Sequence, residues 1–232
     1  METLIFDCDG VLVDSEAIAE ATLVELLGGW LPDLDADTVL SQALGMTTAN
    51  ILRHLEGQSR HRLPEEAKER VDQTIESRLL ENLEAIDGVA EVIRTFRFPL
   101  AVVSNSRRKR VLASLATTRL DAVFGDAPIF TADQVERPKP DPELYLLAAR
   151  EMGCTPAHCL VVEDSVSGVT AAHGAGMTVI GFTGASHVPP GQAERLTQAG
   201  AWRVLNHMNG LATLVDQWRA HRCASRTLPT RH

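Results

Sequence analysis

The sequence predicts a two-part α/β protein: a doubly wound parallel sheet, interrupted after its first strand by a helical insert. Three observations predict it. Short runs of Val, Ile and Leu recur without alternation, at residues 4–6, 100–103, 129–130, 160–162 and 178–182, as in parallel strands covered on both faces. Helical stretches separate these runs, near 88–96, 107–118, 140–152 and 165–175, which points to a doubly wound sheet. Between residues 16 and 85 the strand-like runs stop and apolar positions recur at helical spacing.

Each element has a local rationale. The first run, Leu4, Ile5 and Phe6, ends in an acidic turn with Gly10. Within the insert, Thr47 is placed to cap a helix over residues 48–56. Pro64 with Glu65 and Glu66 reads as a second helix start, since proline suits the first turn and acids favour its dipole. The division expected is a core of residues 1–15 and 86–221, a helical cap domain of 16–85, and a polar, proline-containing tail of 222–232 that is loosely ordered.

Composition excludes several function classes. The 232 residues carry 22 Lys and Arg against 31 Asp and Glu, a formal charge of -9. A general nucleic-acid binder needs a basic face to replace counterions, so none is expected. Apolar runs fall far short of the ~20 residues of a membrane span. No signal peptide precedes the first strand, and Cys8, Cys154, Cys159 and Cys223 show neither CxxC spacing nor a zinc pattern. A cytoplasmic, monomeric protein with reduced thiols is the expectation.

In open α/β sheets ligands bind beyond the carboxyl ends of the strands. The polar residues after each run should therefore converge: Asp7 and Asp9, Ser104 and Asn105, Glu163 and Asp164, with Lys139 between the last two pairs in sequence. Two carboxylates at a buried strand end are costly, because like charges at about 4 Å repel by about 4 kcal/mol at an effective dielectric near 20. They call for a cation. Every residue type in the set suits phosphoryl transfer. Asp7 can attack phosphorus, and Asp9 can protonate the leaving oxygen and then deprotonate water. Asp7 and Asp9, with Glu163 and Asp164, are the candidate ligands of Mg2+, an ion that prefers oxygen. Ser104, Asn105 and Lys139 are the candidate phosphate binders. Pro140 keeps Lys139 out of helical dihedrals and can open the following helix.

These residues resemble the haloacid dehalogenase superfamily in all four of its motifs, in order: FDCDGVLVDSE, VVSNS, RPKPDPE and VVEDSVSG. The insert resembles the small helical cap of the branch that contains β-phosphoglucomutase and many sugar-phosphate phosphatases. The resemblance implies a Rossmann-like core under a mobile cap, with Asp7 as nucleophile, Asp9 as general acid and base, Ser104 and Lys139 on phosphate, and Asp164 with Glu163 on magnesium. It also sets dehalogenation aside, since the superfamily's dehalogenases lack the second aspartate. The mutases' cap histidine and arginine are matched here by Ala19 and Thr48, which favours hydrolysis over a phosphosugar mutase. A non-catalytic phosphate- or metal-binding module is the alternative of another class, opposed by the intact set Asp7, Asp9, Lys139 and Asp164.

Plainer roles are assigned elsewhere. Arg107, Arg108, Lys109 and Arg110 read as a solvated helix face, with attraction of an anionic substrate as the alternative. Cys8 reads as core, because a residue between the two aspartates turns to the opposite side. His173 and His187 read as structural or exposed, and Gly168, Gly174 and Gly176 as sites of close helix–sheet packing. Gly45, Met46 and Thr47 are candidates for substrate choice.

Overall fold

The computed structural model describes residues 2–35, 48–186 and 188–226. Thr47, Gly45, Met46 and His187 lie outside them. The chain divides into two compact units, Met1–Asp14 with Glu84–His232, and Ser15–Leu83.

The larger unit is built on six parallel strands: β1 (Thr3–Phe6), β2 (Leu100–Ser104), β3 (Ile129–Thr131), β4 (Cys159–Glu163), β5 (Thr178–Phe182) and β6 (Arg203–Leu205). Their order across the sheet is β3-β2-β1-β4-β5-β6. β1 is central and pairs with β2 on one side, Phe6 opposite Val102, and with β4 on the other, Phe6 opposite Val162. The strand order reverses between β1 and β4, so the crevice where such sheets bind ligands opens beside Asp7. β1 is buried along its whole length, which is why its run is apolar without alternation.

Among the described residues the α-helices, in order, are α1 (Glu16–Trp30), α2 (Thr48–Glu56), α3 (Ala67–Asn82), α4 (Val89–Ile93), α5 (Arg108–Thr117), α6 (Asp121–Phe124), α7 (Glu143–Glu151), α8 (Val166–Gly174), α9 (Gln192–Ala199) and α10 (Leu211–Arg226). One side of the sheet packs Ile5, Val103 and Val161 with Leu144, Tyr145, Ala148, Val169 and Ala172 of α7 and α8. No helix among the described residues is long and apolar enough to cross a membrane.

The smaller unit holds α1, α2 and α3. Val71, Ile75 and Leu79 of α3, four residues apart, make its buried stripe, and Leu23, Leu27, Leu52 and Leu55 are buried beside them in sequence pattern. Arg78 ties α3 to α1 by donating to Thr22 Oγ1 at 3.2 Å and Glu25 Oε2 at 2.6 Å.

Several expected boundaries shift. α3 begins at Ala67 rather than Pro64, because Ala67 N–H bonds Pro64 O in a turn and the first helical bond runs from Arg70 N to Glu66 O. α7 begins at Glu143 rather than Pro140: Pro140 and Pro142 offer no N–H, and Asp141 Oδ1 captures the N–H of Glu143 at 3.0 Å. α10 continues to Arg226, so residues 222–226 of the expected tail are helical. β6, α6, α9 and α10 have no counterpart in the sequence reading. β6 is three residues long with Arg203 exposed and Val204 half-buried, so it shows no apolar run.

Candidate active site

After Phe6 the chain stays in the sheet for one more bond, Asp7 N to Val162 O at 3.0 Å. It then folds into a tight loop in which Leu12 and Val13 N–H both reach Cys8 O, and Gly10 N reaches Val13 O at 2.8 Å. Gly10 has φ +79°, and a Cβ there would overlap Asp164 Oδ2. Glycine is needed on both counts: for the left-handed backbone, and to let the loop approach the carboxylate from the end of β4.

Lys139 stands at the centre. Its ammonium is buried and donates to Asp7 Oδ1 at 2.6 Å, Glu163 Oε1 at 2.7 Å and Val103 O at 2.9 Å, which uses all three of its protons. Burial alone would favour its neutral form. The Asp7 and Glu163 carboxylates overcome that and hold its pKa well above the ordinary lysine range. For Asp7 burial dominates in the other direction: with Glu163 and Asp9 adding to it against the pull of Lys139, its pKa rises from 3.8 to about 8.

Glu163 is saturated by the protein itself. Oε1 accepts from Lys139 and from Tyr145 OH at 3.2 Å, and Oε2 accepts from Ser165 N and Ser165 Oγ, both at 3.0 Å. Ser165 also caps α8 by accepting the N–H of Gly168. A Cβ on Gly168 would land on the Glu163 carboxylate, so this glycine makes room for a side chain rather than for close helix–sheet packing alone.

Asn105 holds the segment that carries Lys139. Its carboxamide is committed to the Lys139 backbone, donating to O and accepting from N, both at 3.0 Å, and so fixes the loop that carries the lysine. Ser104 Oγ is buried and accepts from Ser106 N at 3.0 Å. Asp9 turns to the start of α5, where Ser106 Oγ donates to Oδ2 at 2.7 Å and Arg110 Nη2 to Oδ1 at 3.0 Å. Cys8 is buried, and burial with the adjacent Asp9 and Asp7 pushes its thiol pKa well up, which suits a core residue.

The structure thus brings Asp7, Lys139, Glu163 and Asp164 together, with Asp9 and Ser104 alongside. Asp7, Glu163 and Asp164 each place an oxygen within 4.8 Å of the others. That all-oxygen donor set, with the Gly10 loop drawn in beside Asp164, fits a small divalent cation. The Asp9 carboxylate is not one of this group.

Ser106, Arg110 and Tyr145 were not singled out from sequence as site residues. Ser106 and Arg110 are four apart at a helix start, the spacing that puts two side chains on one face. Tyr145 is the single tyrosine of the chain, set in an otherwise apolar helix face. The hollow of about 440 Å³ bounded by Thr178, Trp202, Trp218, His221 and Arg222 lies at the amino end of β5 and is no part of this site.

Comparison with known proteins agrees with this architecture. The sequence profile described as haloacid dehalogenase-like hydrolase matches residues 4–182. The 6-phosphogluconate phosphatase of Escherichia coli is 31% identical over 191 residues, covering 82% of this chain and 86% of that protein. A phosphorylated carbohydrates phosphatase of Thermotoga maritima is 32% identical, covering 76% and 82%. Among solved structures, a haloacid dehalogenase-like protein of unknown function from Agrobacterium tumefaciens superposes with a TM-score of 0.85 at 36% identity, over 94% of this chain and 98% of that one. With the family profile running from β1 to the end of β5 and relatives of this similarity over three quarters of its length, the chain belongs to the haloacid dehalogenase-like hydrolases and is a phosphoric monoester hydrolase.

Proposed function

We propose that the protein is a magnesium-dependent phosphatase that releases inorganic phosphate from small monoesters of sugars or sugar acids through a phosphorylated Asp7. The observation that carries this reading is the Lys139 ammonium, fixed 2.6 Å from Asp7 Oδ1 at the strand-order reversal. A buried cation on one oxygen of a strand-end carboxylate orients the other for attack and supplies positive charge where a phosphoryl group would sit. The names of the relatives, a 6-phosphogluconate phosphatase and a phosphorylated carbohydrates phosphatase, support the substrate class.

In the first step an Asp7 oxygen forms a bond to phosphorus, the bond from phosphorus to the ester oxygen breaks, and Asp9 gives its proton to the departing alkoxide. In the second, Asp9 takes a proton from water as the water oxygen attacks phosphorus, and the phosphorus–Asp7 bond breaks to return free carboxylate and phosphate. Ser104 Oγ accepts from Ser106, which leaves its own proton to donate to a phosphate oxygen. Asp7 and Asp164 would hold magnesium, since the oxygens of Glu163 are engaged and the Asp9 carboxylate faces Arg110. Bound there, the ion would offset the clustered acids and let an anionic ester approach an anionic nucleophile.

The test is phosphate release from purified protein over sugar phosphates, sugar-acid phosphates, phosphoglycolate, nucleotides and bisphosphates. Release should require Mg2+ and be lost in Asp7→Asn. Robust turnover by that variant contradicts the mechanism, and an isomeric product without phosphate release would indicate a mutase.

A further inference from the structure

Arg110 departs from the three basic residues that precede it. Arg107, Arg108 and Lys109 are exposed, and Arg108 donates to the carbonyl of Ile129 at 2.8 Å. Arg110, on the first turn of α5, turns inward instead. Its side chain is 30% exposed and its Nη2 donates to Asp9 Oδ1 at 3.0 Å. Its Nε is buried and makes no hydrogen bond.

Nε and Nη2 form one edge of a guanidinium, and that edge matches the two oxygens of a carboxylate. Toward Asp9 only half of the edge is used: Nη2 reaches Oδ1, while Oδ2 accepts from Ser106 Oγ at 2.7 Å. The arrangement leaves one buried donor unpaired, and such donors destabilise the arrangement that contains them. It also ties up both oxygens of the residue that must swing a proton onto the ester oxygen. An Asp9 oxygen facing the Arg110 N–H cannot point its own proton along the same line.

A second carboxylate resolves both problems. Whatever alcohol departs next to Asp9 also lies next to Arg110. If that alcohol carries a carboxylate, the guanidinium can engage it with its full edge, satisfy Nε and let go of Asp9. We propose that Arg110 is a specificity-determining residue, which binds a carboxylate on the leaving alcohol and thereby releases Asp9, so that phosphorylated hydroxy acids react in preference to neutral phosphosugars. This inference rests on the phosphatase reading and on the role of Asp9 in it.

The experiment compares kcat/KM of the full-length protein with Mg2+ for 6-phosphogluconate, 2-phosphoglycolate and the neutral analogue sorbitol 6-phosphate, in wild type, Arg110→Met and Arg110→Lys. In wild type at least one of the two acids should exceed sorbitol 6-phosphate by about tenfold or more, the scale of a bidentate charged pair. The two acids differ in the distance from ester to carboxylate and so separate a short hydroxy acid from a sugar acid. In Arg110→Met the preference should collapse to about threefold or less, because kcat/KM for the acid falls relative to that for the neutral ester, with Arg110→Lys in between because it keeps charge without the fork. A wild type without acid preference overturns the inference. So does an Arg110→Met variant that loses acid and neutral esters by one common factor, which would make Arg110 a support for Asp9 alone. The aryl ester p-nitrophenyl phosphate, whose leaving group needs no proton, separates the two failures. Its hydrolysis by wild type keeps the phosphatase reading when the preference is missing, and inertness toward every ester removes both.

Discussion

Asp7 is held at a large electrostatic cost. Burial, with Glu163 and Asp9 nearby, lifts its pKa from 3.8 to about 8 despite the ammonium of Lys139. The sign of the consequence follows from proton linkage. As pH rises from about 4 to about 8 the unfolded chain gives up this proton while the folded chain keeps it, so metal-free stability falls across that window. Asp7→Asn escapes the loss, and Lys139 keeps Glu163 and Val103 O as partners. In chelator at pH 8 the variant should therefore melt several degrees above wild type, a gain on the order of a few kcal/mol, and the gap should shrink toward pH 5. Added Mg2+ should raise the melting temperature of wild type and leave the variant near its starting value. Differential scanning calorimetry across pH decides it; a variant less stable than wild type at pH 8 contradicts the account. The carboxylates were legible because acids directly after apolar runs are an expensive arrangement that a random strand end avoids, Ser104 because it follows such a run, and Lys139 because prolines flank it. Arg110 was not legible, since a cation at a helix start looks like a solvated one until its helix is set against the β1 loop.

At the scale of elements, β4 and α8 form one device: the strand delivers Glu163, Ser165 caps the helix and binds Glu163, and Gly168 leaves the space that Glu163 fills. Gly168→Ala puts two effects in opposition. Alanine in place of glycine inside a helix gains about 1 kcal/mol, while the overlap of the new Cβ with the Glu163 carboxylate forces a shift that costs about 1–3 kcal/mol. The clash should win. The variant should melt below wild type and lose phosphatase activity through displaced Glu163 and Lys139, whereas a control at exposed Gly29, where no atom lies within 4 Å of a new Cβ, should keep its melting point or gain. The strands β1, β2, β4 and β5 were readable as continuous apolar runs because both of their faces are covered. β6 was not, being short and half-exposed, and α7 starts late because the same Lys139–Pro140 segment that holds the lysine withholds the N–H groups a helix needs.

For the whole molecule, the chain leaves its α/β unit at Asp14 and returns at Glu84, and the two crossings are joined by the bonds from Asp14 N to Glu84 O and Ile86 N to Leu12 O, both 3.0 Å. Insertion at this point leaves the strand order β3-β2-β1-β4-β5-β6 intact, so chemistry contributed by four separate stretches of sequence still meets at one strand-order reversal. On the proposed mechanism, what that convergence serves is the passage of a phosphoryl group through Asp7. On that mechanism Asp9→Asn would remove the base that clears the intermediate, and acetyl phosphate supplies a leaving group that needs no acid. Intact-mass and peptide analysis of Asp9→Asn after exposure to acetyl phosphate and Mg2+ should show one added phosphoryl group, located on Asp7 and absent from the variant that also carries Asp7→Asn. An unmodified protein whose wild-type form turns over, or a phosphoryl group on any other residue, would contradict the account.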